Sequence, residues 1–253
     1  MQTFYDTIYL SPHLDDVALS CGGQIVQQAT AGKRVLIVTI MAGDPPSAQV
    51  SAYAQSLQER WELLTDAAAG RRAEDLAACA ILGADALHWD VPDCIYRYHP
   101  DTHDPFYVSD DDIFGDIHPI ELNRGETLVQ QIQSLPRCGR MIAPLTLGHH
   151  VDHLLTRQAA EQCFGANLLY YEDYPYAQEP GQLENLIPAG STAWQCQKIA
   201  LNEAHLQTKI DAIYAFQSQL STFFVDRDDL EQQVRSYTDA VGGERLWEQV
   251  WTK

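Results

Sequence analysis

The chain's first patterned stretch is Thr7-Ile8-Tyr9-Leu10, a short β-prone run closed by the turn-forming pair Ser11-Pro12. Val17 to Ala31 has helix composition, with Gly32 as its stop. Arg34 to Met41 is dense in Val and Ile and predicts a strand buried on both faces. Ala-rich sequence from Ala52 to Leu82 predicts one or two helices, with Gly70 as a candidate break and Gly83 as the end. Ala86-Leu87-His88-Trp89 is the next strand. Arg140–Ala143 and Asn167–Tyr171 are two more, with a helix from Val151 to Cys163 between them. His205–Leu220 and Asp228–Val241 predict helices packed on the sheet.

Strands alternating with helices predict an α/β fold: a mostly parallel sheet with helices on both faces. No repeat or long linker divides the sequence, so residues 1–253 are expected to form a single domain, with a C-terminal helical part over 205–253. Residues 89–123 do not fit the alternation. Asp90, Asp93, Asp101, Asp104, Asp110, Asp111, Asp112 and Asp116 crowd this segment, interleaved with Tyr96, Tyr98, Phe106, Tyr107 and Phe114. Such an insertion suits a sugar-binding lid, because rings stack on apolar sugar faces and carboxylates bind hydroxyls; a solvated surface excursion accounts for it equally well. A calcium loop is the weaker option, since the spacing matches no EF-hand.

Charge narrows the partners. Sixteen Lys and Arg face 35 Asp and Glu, a net −19, which repels phosphate backbones and anionic membranes. Nucleic acid and membrane insertion are therefore not expected. The longest apolar run, Val35–Ala42, is too short to span a bilayer. No basic, then apolar, leader opens the sequence, so a cytoplasmic location is expected. The six cysteines are scattered without a CxxC pair and read as reduced, mostly buried thiols. The pattern leaves the oligomeric state open.

Two clusters carry chemistry. Ser11-Pro12-His13-Leu14-Asp15-Asp16 follows the first strand, where open α/β sheets gather ligands. His13 and Asp16 are three apart, so a helix start can aim both at one point, while Asp15 projects elsewhere. The simpler role for either aspartate is to cap the following helix. Gly148-His149-His150-Val151-Asp152-His153 follows the strand at Arg140–Ala143 and opens a helix, with His150 and His153 on one face. A surface histidine patch is the alternative. His13, Asp16 and His153 together form a His₂-carboxylate set with room for water, a composition that suits catalytic zinc and that iron(II) also uses. Asp15, beside the ligands but not among them, fits a general base. Asp152 is placed to hold the His150 imidazole, making His150 a candidate acid or oxyanion stabiliser.

These residues resemble a family. Pro12-His13-Leu14-Asp15-Asp16 is similar to the PHPDD signature of the LmbE-like (PIG-L) zinc de-N-acetylases, and His150-Val151-Asp152-His153 to its HPDH signature. Arg72-Ala73-Glu74-Asp75 with Leu82-Gly83, and Lys209-Ile210-Asp211-Ala212 through Ser218-Gln219, resemble its helical motifs. The resemblance implies a Rossmann-like fold and hydrolysis of an N-acetyl group from an N-acetylglucosamine-type conjugate. It also implies zinc on His13, Asp16 and His153, Asp15 as base, His150 with Asp152 as the assisting pair, and Arg72 (or the adjacent Arg71) as the substrate contact. An amidase acting on a larger acyl amide, or a sugar-binding protein without catalysis, are the alternative functions. Leu14 and Val17 depart from the family pattern, replacing a proline and a glutamate that could hydrogen-bond behind the ligands. His149 offers a competing register for His150.

Overall fold

The structure is a computed structural model and describes residues 3–46, 50–61 and 67–250. Its sheet has seven strands: β1 (Phe4–Ser11), β2 (Val35–Thr39), β3 (Asp85–His88), β4 (Arg137–Pro144), β5 (Leu168–Tyr171), β6 (Trp194–Ile199) and β7 (Glu244–Gln249). The order is β3-β2-β1-β4-β5-β7-β6, parallel from β3 to β5 and antiparallel at β7 and β6. The expected α/β architecture, a mostly parallel sheet with helices around it, is therefore found.

The helices are α1 (Asp16–Thr30), α2 (Ala52–Arg60), α3 (Ala67–Leu82), α4 (Asp110–Ile113), α5 (Leu122–Gln133), α6 (Val151–Phe164), α7 (Gln182–Leu186), α8 (Glu203–Tyr214), α9 (Gln217–Phe223) and α10 (Arg227–Val241). Side chains alternate along a strand, so β1 feeds two cores. Ile8 and Leu10 pack with Leu128 and Ile132 of α5 and Leu155 of α6. Tyr9 turns the other way, toward Val17 and Ile25 of α1, Cys79 of α3 and Phe216. Apolar burial on both faces explains why β2 is continuously hydrophobic, every residue from Val35 to Thr39 being buried.

Several details differ from the sequence expectation. Gly70 sits inside α3 and breaks nothing. Gly32 and Gly83 do end their helices, each at φ +74°. The segment expected as one helix from His205 to Leu220 is divided into α8 and α9 around Ala215-Phe216. The C-terminal part is not all helical, since β7 returns to the sheet between β5 and β6. Residues 89–123 are not structureless: they carry α4 and two single-turn 3₁₀ helices at Cys94–Tyr96 and Pro119–Glu121. Cys94, Ile95, Tyr96, Tyr107 and Ile113 join Leu57 and Trp61 in a separate apolar cluster.

The topology fixes where chemistry can gather. The chain runs from β1 outward to β2 and β3, then returns to place β4 on the other side of β1. The loops leaving β1 and β4 consequently diverge to opposite faces and open a crevice at the strands' C-terminal ends. Both clusters begin in these two loops and run into the helices that follow, α1 and α6.

Candidate active site

At the end of β1, the Ser11 hydroxyl donates to the His13 carbonyl at 2.6 Å and accepts the Val17 N–H at 3.3 Å, folding the turn onto the helix start. The His13 N–H donates to Asp16 Oδ2 at 2.7 Å. Asp15 occupies the cap position of α1 but makes no side-chain capping bond, which leaves its carboxylate to the crevice. Val17 is buried in the core, where the family pattern places a glutamate.

After β4, Thr146, Gly148 and His149 all adopt positive φ, bending the chain sharply into α6. Gly148 is required there, because a Cβ would stand 2.6 Å from the Tyr176 ring. The bend exposes His149, whose Nδ1 lies 3.1 Å from the Gly115 carbonyl, and buries His150 in the crevice. His150 caps α6: its Nδ1 accepts the Asp152 N–H at 3.2 Å. In the neutral ring that bond assigns the proton to Nε2.

The structure brings His13, Asp16 and His153 together. Asp16 Oδ2 lies 3.3 Å from His13 Nδ1 and 3.3 Å from His153 Nε2. Each imidazole has its second nitrogen on a different carboxylate, His13 Nε2 on Asp152 at 3.1 Å and His153 Nδ1 on Asp173 at 2.6 Å. Two rings anchored from behind, with their free nitrogens aimed at one carboxylate oxygen, are the donor set that a divalent cation such as zinc or iron(II) takes. The residues present therefore fit a metal. His13, His150 and His153 also form a trio of ring nitrogens close enough to share one ion.

Charge is concentrated here. Burial and the Asp16 charge push Asp15 up to about 6. Burial, reinforced by the His13 ring, holds His150 well below the ordinary imidazole range. His153 runs the other way: burial opposes its charged form, but Asp16 and Asp173 outweigh it and raise the ring to about 9. A divalent cation held by His13, Asp16 and His153 would balance the carboxylate charge gathered here.

Two expected contacts are not found. Asp152 does not hold His150 by its carboxylate. Its Oδ2 receives His13 Nε2 and the Cys94 N–H, and its Oδ1 faces Arg97 at 2.6 Å. Residues two apart at a helix start point in different directions, so the side chain passes beneath the site. Nor does Arg72 enter the crevice; its guanidinium donates to the Ala42 carbonyl at 2.8 Å and to Asp44 at 2.9 Å. Arg71, one residue earlier on α3, lines the cleft instead, 3.8 Å from Asp15 and 3.9 Å from Asp93, with Trp61 under its guanidinium.

The cleft encloses about 250 Å³. Tyr53, Trp61, Phe114, Tyr176 and Phe223 supply apolar wall, with Asp110 and Arg60 among them. Asp93, Ile95, Asp110, Ile113 and Phe114 bring the 89–123 segment directly to this wall. Asp93, Cys94, Arg97 and Asp173 have no signature of their own in the sequence. Asp173 could have been flagged by its place just past β5, at the same sheet edge as both clusters.

The helical motifs sit farther out. Glu74 accepts the Ser218 N–H at 2.9 Å and the Ser218 hydroxyl at 2.5 Å, tying α3 to α9 behind Arg71. Lys209 donates to Glu244 at 2.8 Å, and Glu244 accepts the N–H groups of Gly23 and Gln24, joining α8, β7 and α1.

Comparison with known proteins places this arrangement. A 2'-N-acetylparomamine deacetylase of Niallia circulans is 26% identical over 235 residues, 86% of this chain and 82% of that protein. A protein of the same description from Streptomyces fradiae is 30% identical over 68% of this chain, which spans 57% of that relative. A solved deacetylase–teicoplanin complex superposes with a TM-score of 0.79 at 25% identity, covering 99% of this chain and 100% of that one. The family model described as GlcNAc-PI de-N-acetylase, PIG-L, matches residues 8–164, more than half the sequence, and the chain belongs to that family.

Proposed function

We propose that the protein is a metal-dependent hydrolase that removes an N-acetyl group from an N-acetylglucosamine-type amino-sugar conjugate, giving acetate and a free amine. The observation that carries this reading is the meeting of His13, Asp16 and His153 at one point in a cleft that also presents an uncommitted carboxylate, Asp15. Relatives named as 2'-N-acetylparomamine deacetylases and a deacetylase solved with teicoplanin support a sugar conjugate as the substrate class.

His13, Asp16 and His153 are the residues that would hold the ion. Zinc, when bound, lowers the pKa of a water ligand toward neutrality and polarises the amide carbonyl. Asp15, within the cleft and free of capping duty, takes the proton of the attacking water as the new carbon–oxygen bond forms. Asp15, protonated by that step, passes the proton to the nitrogen as the carbon–nitrogen bond breaks. His150, with its Nδ1 engaged by the Asp152 N–H, offers Nε2–H to the developing oxyanion. Arg71 holds the negative charge of Asp15 and Asp93 in place, and the aromatic wall excludes water and stacks the sugar.

The test is acetate release from N-acetylglucosamine and simple conjugates by chelated and zinc-reloaded protein in parallel. Metal-dependent release supports the reading. Release of a longer acyl group alone points to an amidase, and tight glycan binding with no hydrolysis points to a sugar-binding protein.

A further inference from the structure

Beneath the cleft lies a buried ion network that the reaction does not use directly. Arg97 is 2% exposed, comes from the 89–123 segment and does not line the cleft around Asp15. Its Nε lies 2.7 Å from Glu121 Oε1, and one terminal nitrogen lies 3.0 Å from Glu121 Oε2 and 2.6 Å from Asp152 Oδ1. Glu121 is also fully engaged, accepting the Tyr107 hydroxyl at 2.8 Å. Asp152, which has no exposed surface, gives its other oxygen to His13 Nε2 at 3.1 Å and to the Cys94 N–H at 3.0 Å. A buried ion triad is a poor device for stability alone, because apolar side chains of similar volume serve as well or better. Its geometry leads to His13.

The two histidines of the site are backed differently. Behind His153, Asp173 is fixed by the backbone N–H of Leu147 at 3.0 Å. Behind His13, the aspartate is fixed by one backbone N–H and by a guanidinium reaching in from another segment. We propose that Arg97 is a positioning residue for His13: by pinning Asp152 it fixes the orientation of the imidazole, and with it the affinity of the His13–Asp16–His153 centre for a divalent cation. The 89–123 segment thus supplies a strut for the centre as well as one wall of the cleft. The inference rests on the metal-centre reading above.

Zinc affinity, read by competition with a chromophoric chelator, tests it without reference to turnover. His13→Ala comes first: a collapse of affinity establishes that the measurement reports on His13, and unchanged affinity would overturn both the site reading and this proposal. Arg97→Lys keeps the charge but loses the fork that reaches Glu121 and Asp152 together. It is expected to weaken zinc binding about tenfold or more, the range for partners behind a metal ligand. Asp152→Asn is expected to do the same. Arg97→Lys combined with Asp152→Asn should be no weaker than Asp152→Asn alone, since both act through one path. A merely structural arginine would lower the melting temperature and leave the affinity of the folded protein unmoved. Affinity within twofold of wild type in folded Arg97→Lys, or full additivity in the double variant, overturns the proposal. Should Arg97→Lys fail to fold, Arg97→Met with Glu121→Gln, which removes a matched pair of charges, is judged by the same criteria.

Discussion

Asp15 and Asp16 are neighbours with opposite assignments, and geometry separates them. Asp16 is drawn between two imidazoles, while Asp15 faces the cleft beside Arg71. Asp15→Asn is expected to keep bound zinc and lose turnover by about a hundredfold or more, the scale of a general base; metal stoichiometry and acetate release measured on one sample check this. Retained activity would reject Asp15 as the base. Arg71→Ala is expected to lower kcat/KM by about tenfold or more, equivalent to ~1.4 kcal/mol in the transition state. Arg72→Ala, which breaks only contacts to Ala42 and the exposed Asp44, should stay near wild type. Steady-state kinetics on the pair would reverse this assignment if Arg72→Ala proved the slower enzyme. His13, Asp16 and His153 could be proposed together because two clusters of metal-binding residue types each follow a strand, and a parallel sheet brings such loops to one edge. Arg71 against Arg72 was not legible, since one residue turns a helix by about 100°. The partner of Asp152 was hidden as well, because it depends on a segment 55 to 58 positions away, at Arg97 and Cys94.

At the level of elements, short apolar runs made the parallel strands readable, the Val- and Ile-rich Val35–Thr39 most clearly. β6 and β7 were not: Glu244–Gln249 runs polar, polar, apolar, apolar, polar, polar without a period of two, and Trp194–Ile199 keeps that period only as far as Gln197. α5 escaped for a related reason: only Gly125, Leu128 and Ile132 of its twelve residues are buried, a narrow stripe in a polar sequence. The late strand β7 nevertheless anchors α1. Lys209→Met would leave Glu244 buried beside two N–H groups without its cation and is expected to cost about 3 kcal/mol, read by urea denaturation; a loss below about 1 kcal/mol would show the pair to be dispensable. Gly23→Ala would set a Cβ 2.3 Å from Leu201 Cδ1 and 3.0 Å from Glu244 Oε1. It is expected to destabilise by about 1–3 kcal/mol through overpacking.

For the molecule as a whole, the surplus of carboxylates is partly internal. Asp15, Asp16, Asp152 and Asp173 are all buried around one point. Zinc at a hundred times its dissociation constant should therefore stabilise the fold by about 2.7 kcal/mol, raising Tm by roughly 5 °C for a chain of this size. Differential scanning fluorimetry with and without chelator checks this, and His13→Ala should abolish the shift. No helix among the described residues is long and apolar enough to cross a membrane. The span matched by the family model ends at residue 164, yet Asp173 behind His153, Ser218 against Glu74 and Glu244 against Lys209 all lie beyond it. A recombinant fragment cut at that boundary would carry both signatures complete but lose Asp173, the carboxylate that anchors His153. Domain grafting or random truncation libraries built on this protein should consequently recover active clones only when the junction falls after β7.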